Sequence, residues 1–191
     1  MFKSDKWIIE KAKQGMITPF YESLIRKTEE GEKRISFGPS SYGYDVCLAP
    51  EFKIFTASNQ LGFAGIIDPK KFNEGNFVYH EGDHVIVPPN SFVLGRTSEY
   101  LKMPDNVTGL VMNKSTYARC GLSVLTTVIE AGWEGELVLE FSNTTPLPII
   151  LYANEGCAQI LFAESDERCI TSYADRKGKY HKQRGIQTPL A

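Results

Sequence analysis

The feature that most constrains the fold is a series of short runs rich in Val, Ile, Phe, Tyr and Thr, which begins near residue 42. Gly, Pro, Asn and Asp separate these runs at intervals typical of strands joined by turns. The predicted strands cover residues 44–48, 52–56, 84–87, 92–97, 108–112, 123–128, 136–142 and 157–162. Many short strands with turn residues between them predict a mainly β domain of the sandwich or barrel type.

Two segments have helical patterns instead. Ser4 precedes a stretch with an acid in its first turn, apolar residues on one face and a stop at Gly15, which predicts a short amphipathic helix that packs on the domain. A second helix is predicted for residues 115–120, inside the β region and ending at Gly121. Residues 22–34 are highly charged and predict an exposed loop or a ragged hairpin.

Length and composition favour one domain over the whole chain, 1–191, because 191 residues with 42% hydrophobic residues supply one sizeable core. The net charge of -2 argues against a nucleic-acid polymer as partner, although a small phosphorylated ligand needs only a local cationic pocket. The apolar runs are far shorter than the roughly 20 residues of a membrane helix. Four dispersed cysteines without a CxxC pair or a signal-type leader predict free thiols and a cytoplasmic location.

Residues 114–119 read Lys-Ser-Thr-Tyr-Ala-Arg and carry a possible anion site. Ser115 and Arg119 are four residues apart, so on a helix their hydroxyl and guanidinium share one face and can converge on one phosphate. The helix start also offers free backbone N–H groups. An ordinary solvated helix end is the alternative interpretation of this segment alone.

Glu140 is the candidate proton carrier. Strand alternation puts it with Val138 and Ser142 on the face opposite the more apolar set Leu137, Leu139 and Phe141. We predict a core position for Phe141. A strand glutamate is more often simply exposed or paired with arginine. The nearby segment 114–119 with its possible anion site, and the loop 128–135 that contains Glu130, favour a catalytic role.

Residues 80–84, His-Glu-Gly-Asp-His, match the HExxH pattern of zinc proteases. That pattern binds zinc only on a helix, where both imidazoles share a face. Gly82 in its middle, flanking strand-like runs and the prolines that follow predict a turn between strands instead. The zinc-deaminase signature, a His-x-Glu with a later Pro-Cys-x-x-Cys, does not occur in the sequence, so we expect no zinc.

Several segments taken together resemble the dCTP deaminase family, whose fold is shared with trimeric dUTPases. They cover nearly the whole chain and comprise residues 3–8, 41–46, 88–92, 113–121, 128–135, 138–144, 152–159 and 178–185. The resemblance implies a homotrimer of distorted β-barrels of the jelly-roll type, with active sites shared between subunits. It also implies hydrolytic, zinc-independent conversion of dCTP to dUTP and ammonia, which supplies dUTP for thymidylate synthesis. A magnesium ion would be held by the triphosphate and not by protein side chains.

The resemblance also assigns site residues. Glu140 corresponds to the general base, while Ser115 and Arg119 correspond to residues that hold the phosphates and orient the water. The other implied substrate-binding residues are Lys114, Thr116, Tyr117, Ala118, Val128, Glu130, Trp133, Val138, Leu139, Gln159, Tyr173, Lys179 and Gln183. Residues 172–191 correspond to a flexible C-terminal lid over the triphosphate.

Three alternatives remain open at the level of sequence. Family members of this length have Asn-Val-Thr-Pro at residues 125–128, where this chain has Leu-Thr-Thr-Val, and an arginine at Cys47. Because 125–128 should line the base and sugar region, CTP could be a second substrate. The resemblance separately implies dTTP as a possible inhibitor. Glu130 matches the acid of the dUTPase loop, so the chain could hydrolyse dUTP to dUMP and pyrophosphate, alone or after deamination. A nucleotide-binding regulatory trimer without turnover is the third alternative.

Overall fold

Strands dominate the structure, a computed structural model that describes residues 1–56 and 66–190. Short helices and a 3-10 turn at Glu74–Asn76 complete the fold within these ranges. The helices are α1 (Asp5–Lys13) and α2 (Ser115–Ala118). The strands are β1 (Ile17–Thr18), β2 (Ile25–Lys27), β3 (Lys33–Ser40), β4 (Gly43–Phe55), β5 (Phe77–Glu81), β6 (His84–Val87), β7 (Phe92–Lys102), β8 (Val107–Asn113), β9 (Leu122–Leu125), β10 (Glu134–Asn143), β11 (Ile149–Tyr152) and β12 (Gly156–Glu164). The predicted mainly β class is confirmed.

The large sheet curls because β4 takes part in two sets of pairings. Its first half pairs with β3 and β12, and its second half pairs with β5 and β7, all antiparallel. The order β2-β3-β4-β7-β10-β9 forms the main path, while β8 joins through β12, β1 pairs with β7, and β6 and β11 form a separate two-stranded sheet. The strands thereby wrap around a common core and bring β7, β9 and β10 side by side.

The prediction of separate strands at 44–48 and 52–56 was wrong, because β4 runs without interruption through Pro50. Its register with β7 shifts between Leu48 and Phe52, and proline is tolerated at such an irregularity. The carbonyl of Pro50 still accepts a hydrogen bond from the Gly82 amide at 3.0 Å. The register with β7 therefore changes near Pro50 while the strand continues.

Other boundaries also differ from those predicted. The charged segment 22–34 forms the β2–β3 hairpin, in agreement with one of its two predicted forms, but β3 continues to Ser40 through Gly38 and Pro39. Strand β9 ends at Leu125 instead of continuing to residue 128. Strands β1 and β11 were not predicted, while β5 was predicted only as the strand-like run before the HExxH-like turn. Each of the three is paired with another strand, and that pairing is not visible in the local sequence.

The core confirms the predicted alternation of β10. Leu139 and Phe141 have no exposed surface, and Leu137 is 8% exposed. Burial of each such side chain contributes roughly 1.5–3 kcal/mol, which fixes the register of β10 on its neighbours. Helix α1 packs on the same core through Ile8 and Ala12, as its pattern predicted. Within the described ranges, no helix combines the length and apolarity needed to cross a membrane.

Candidate active site

A cavity of about 850 Å³ lies beside the face of β10 that carries Glu140. It is enclosed by strands β7 and β10, the segment 125–130, aromatic residues near β5 and the C-terminal segment. The lining residues are Phe72, Phe77, Phe92, Leu94, Leu125, Thr126, Thr127, Val128, Ile129, Glu130, Trp133, Leu137, Val138, Glu140, Ser142, Tyr173, Lys179, Tyr180, Gln183, Gln187, Thr188 and Pro189. Mostly apolar walls with a few polar groups are typical of a small-molecule site.

Glu140 sits between two leucines in this cavity. Its directly opposed residues are Leu94 on β7 and Leu125 on β9. The Oε2 atom is inaccessible to solvent and has no hydrogen-bond partner among the described residues. Burial raises the pKa of Glu140 to about 7, because the apolar surroundings disfavour the charged form. A carboxyl group that titrates near neutrality can both accept and donate a proton at physiological pH.

The C-terminal segment forms one wall of the cavity. Trp133, which is 5% exposed, donates its indole N–H to the Tyr180 carbonyl at 3.1 Å. The Tyr180 amide in turn donates to the Tyr173 hydroxyl at 3.2 Å. Gly178 packs against the Tyr173 ring so closely that a Cβ there would lie 2.2 Å from the ring. Tyr173, Lys179 and Gln183 therefore line the same cavity as Glu140.

Half of the predicted substrate-binding residues line this cavity. These are Val128, Glu130, Trp133, Val138, Glu140, Tyr173, Lys179 and Gln183. The lining by residues 125–130 agrees with the position that the sequence assigned to segment 125–128. The predicted residues that do not line it are Lys114, Ser115, Thr116, Tyr117, Ala118, Arg119, Leu139 and Gln159.

Ser115 and Arg119 share one face of α2, as their spacing predicted. The Arg119 Nη1 atom donates to the Ser115 carbonyl at 3.0 Å, and both residues are exposed, as are Thr116 and Ala118. Helix α2 ends at Ala118, so it is a single turn and shorter than the predicted 115–120. Ser115 and Arg119 are both exposed and thus lie on the surface of the chain, outside the cavity that holds Glu140.

Lys114 and Gln159 belong to a buried polar cluster instead of presenting free side chains. The Lys114 ammonium pairs with Asp45 and donates to the Ser36 hydroxyl at 3.1 Å. The Gln159 amide donates to the other Asp45 oxygen at 3.1 Å and to Ser40. Because Lys114 immediately precedes α2, this cluster fixes the start of the helix to β4 and β12. The Lys114 side chain is thus engaged by this ion pair, and its contact with substrate stays a prediction.

Tyr117 and Leu139 are core residues. Tyr117 is 4% exposed and its hydroxyl accepts a hydrogen bond from the Tyr152 amide at 3.0 Å, while Leu139 is fully buried. The ligand contacts predicted for these two residues could therefore come only from their main chains. The same alternation that exposes Glu140 to the cavity turns Leu139 away from it.

Glu130 lines the cavity but is already paired. Its carboxylate forms an ion pair with Arg176, whose guanidinium also lies over the Tyr173 ring at 5.5 Å from the centroid. The acid of the dUTPase-like loop is thus held by the C-terminal segment.

The HExxH-like residues form a strand–turn–strand, as predicted. Strand β5 ends at Glu81 and β6 begins at His84. The His80 Nε2 atom contacts the His84 carbonyl at 2.9 Å, and His84 Nδ1 contacts Asp83 at 2.6 Å. In residues 1–56 and 66–190, His, Cys, Asp and Glu do not form a group of three or more that could hold a metal ion.

Sequence reasoning missed the apolar walls around Glu140. Phe92, Leu94 and the aromatic pair Phe72 and Phe77 lie far from β10 in the sequence and approach it only through strand pairing and packing. Residues 187–189 line the cavity too, and were predicted only as part of the lid at 172–191 and not as individual lining residues. No local motif marks either group.

By its fold, this protein belongs to the class of mainly β proteins, and it shares its fold with a nucleotide deaminase of known structure. The structure resembles the crystal structure of 2'-deoxycytidine 5'-triphosphate deaminase from Agrobacterium tumefaciens, with a TM-score of 0.59 and 15% identity. That match covers 86% of this chain and 48% of the solved one, so the chain spans about half the length of the solved protein.

Sequence comparison then gives the family. The profile of the dCTP deaminase-like family matches residues 2–165. A dCTP deaminase of Albidiferax ferrireducens is 55% identical over 99% of this chain and 98% of the relative. A dCTP deaminase of Burkholderia mallei is 56% identical over 98% of this chain and 97% of the relative. The chain belongs to the dCTP deaminase-like family.

Proposed function

We propose that this protein hydrolyses the exocyclic amine of dCTP, giving dUTP and ammonia, with Glu140 as general base and acid. The observation that carries the proposal is the Glu140 carboxyl: its Oε2 atom is buried in an apolar cavity without a hydrogen-bond partner among the described residues, and burial raises its pKa to about 7. The names of the curated relatives supply the substrate. The product dUTP would feed thymidylate synthesis.

The chemistry requires one group that moves protons in both directions. Water attacks C4 of cytosine while Glu140 takes its proton, so that the new C4–O bond forms without a strong base in solution. The protonated carboxyl delivers that proton to the ring nitrogen. It then takes the proton of the new C4 hydroxyl and passes it to the amine, which leaves as ammonia while the C4–N bond breaks and the C4 carbonyl forms. Leu94 and Leu125 on either side of the carboxyl keep its pKa near neutrality, which suits both steps.

The triphosphate of the substrate requires cationic groups. The cavity that holds Glu140 supplies only part of them, through Lys179. Ser115 and Arg119 are exposed on α2, outside that cavity, and are available to a second subunit. We therefore propose a homotrimer in which each cavity receives α2 from a neighbour. Magnesium would arrive with the triphosphate, since Glu130 is paired with Arg176 and Glu140 has apolar neighbours.

The C-terminal residues 172–191 would act as a lid that opens to admit the nucleotide. In support, residues 187–189 line the cavity from one side and the Lys179 ammonium contacts the Leu190 carbonyl. The four cysteines are free thiols, which supports a cytoplasmic location.

The decisive test incubates the protein with dCTP, CTP, dCMP and dUTP in the presence of magnesium and resolves nucleotides, ammonia and pyrophosphate. We expect ammonia from dCTP, and a loss of at least about 100-fold in Glu140→Gln, the usual contribution of acid–base catalysis. Glu164→Gln is the matched control, because Glu164 is also a strand glutamate but pairs with Lys3 and does not line the cavity. Near-normal deamination by Glu140→Gln would refute the assignment.

A mixing experiment tests the shared site. Glu140→Gln and Arg119→Ala should each be inactive, but subunit exchange between them creates sites with one intact Glu140 and one intact Arg119. Random trimers should recover roughly one quarter of wild-type activity, because each site draws on two subunits. Continued inactivity of the mixture, after mass spectrometry has verified exchange, would contradict sharing.

The substrate panel also separates the alternatives. Uridine nucleotide from CTP would show that segment 125–128 admits the 2'-hydroxyl, and slowing by dTTP would show inhibition. Pyrophosphate from dUTP would favour the dUTPase reading, in which Glu130 must leave Arg176 to activate water. Binding of dCTP or dTTP without ammonia release would favour the regulatory trimer.

A further inference from the structure

Glu136 connects β10 to the C-terminal segment although it does not line the cavity. Its side chain is 12% exposed. One carboxylate oxygen accepts from Arg184 Nη1 at 2.9 Å, and the other accepts from the Gly185 amide at 2.7 Å. Both contacts reach residues directly after Gln183, which does line the cavity.

The main chain of Glu136 holds Gln183 itself. The Glu136 amide donates to the Gln183 carbonyl at 3.1 Å, and the Gln183 side-chain amide donates to the Glu136 carbonyl at 2.7 Å. Gly135 forms a parallel bridge with Gln183. Gln183 is thus fixed by pairing with the first residues of β10, and the Glu136 carboxylate fixes the next two residues, Arg184 and Gly185.

The Glu136 carboxylate also belongs to a chain of ion pairs that runs from Glu51 through Arg96 to Glu136 and Arg184. Arg96 on β7 lies 3.4 Å from this carboxylate and pairs with Glu51 at 2.7 Å. Arg184 also lies over the Tyr100 ring at 3.9 Å from the centroid. Burial raises the pKa of Glu136, but the Gly185 and Arg184 hydrogen bonds and the Arg96 charge outweigh it and hold the pKa below its ordinary value. The carboxylate therefore stays ionised at neutral pH.

We infer that Glu136 is a positioning residue that seats the C-terminal segment over the cavity and so sets the place of Gln183. The inference rests on the proposed deamination and extends it to substrate capture. Glu136 acts through Arg184 and Gly185, so its removal should weaken nucleotide binding and leave the proton transfers of Glu140 intact.

The experiment compares Glu136→Gln and Arg184→Gln with wild type and with the control Glu164→Gln. Loss of charge-assisted hydrogen bonds should raise KM for dCTP about tenfold, with kcat changed less than about twofold. The double variant should bind no more weakly than Glu136→Gln alone, since Glu136→Gln already removes the contact with Arg184. Arg184 is 66% exposed on its side chain, so its variant should fold even if Glu136→Gln does not.

Limited trypsin digestion gives a readout that does not depend on activity. Cleavage after Lys182 should be faster in both variants than in wild type and in the control. An unchanged KM and an unchanged cleavage rate would overturn the inference, and so would a fall in kcat at constant KM. If wild type releases no ammonia from dCTP while the cleavage differences hold, the proposed deamination fails but the anchoring role stands.

Discussion

The pH dependence of turnover tests the state of Glu140 directly. The general base must be ionised in the free enzyme, so kcat/KM should follow the ionised fraction of a group with a pKa of about 7. That fraction is about one eleventh at pH 6 and about ten elevenths at pH 8, so kcat/KM should rise roughly tenfold between these values. An ordinary glutamate would be fully ionised over the whole interval.

The assay is ammonia release from dCTP at low substrate concentration from pH 5 to 8, with saturating magnesium. The terminal phosphate of the nucleotide could titrate in the same interval, since a phosphate ester has a second pKa of about 6. Leu125→Asn separates the two groups, because Leu125 lies opposite Glu140 and is 57% exposed, so the site tolerates a polar residue. A hydrogen bond to the ionised carboxylate should lower its pKa and move the break to lower pH.

Two results would refute this reasoning. A flat profile of kcat/KM from pH 5 to 8 would mean that burial does not control the Glu140 proton. A break at the same pH in wild type and Leu125→Asn would assign the titration to the nucleotide or to another group.

Three further predictions concern groups outside the reaction itself. Burial raises the pKa of Glu99 from 4.5 to about 8. Between these two pH values its carboxyl is protonated in the folded chain but ionised in the unfolded chain. The free energy of unfolding is therefore undiminished by this group below about pH 4.5 and falls as the pH rises to 8. Glu99→Gln should raise the free energy of unfolding by up to about 4 kcal/mol at pH 8 and by less than about 1 kcal/mol at pH 5, and equal effects in urea melts at both values would contradict this. Gly178→Ala should raise KM for dCTP, because the new Cβ would displace the C-terminal segment from the Tyr173 ring. The melting temperature should stay nearly unchanged, because the core is not disturbed. An unaltered KM would show that the position of the segment does not depend on this contact. Lys114→Met should lower the free energy of unfolding by about 3 kcal/mol, since Asp45 would lose its buried cation. A loss of activity at unchanged stability would instead support the predicted contact of Lys114 with substrate.

The sequence determined those features that depend on periodicity and short-range chemistry. The alternation of residues 137–142 separated Leu139 and Phe141 from Glu140 because successive side chains of a strand point to opposite faces. The helical spacing of Ser115 and Arg119 placed them on one face, and Gly82 within the HExxH-like residues correctly indicated a turn. Each of these depends on neighbours within a few residues.

Tertiary structure decided everything that depends on register and on distant segments. Only the pairing of β10 with β7 and β9 sets Leu94 and Leu125 beside Glu140, and their apolar side chains give the carboxyl its altered pKa. Only packing shows that Lys114 is neutralised by Asp45, because the two are separated by 69 positions in the chain. A sequence records which groups are available, but their protonation and pairing follow from the solvent that the surrounding fold removes.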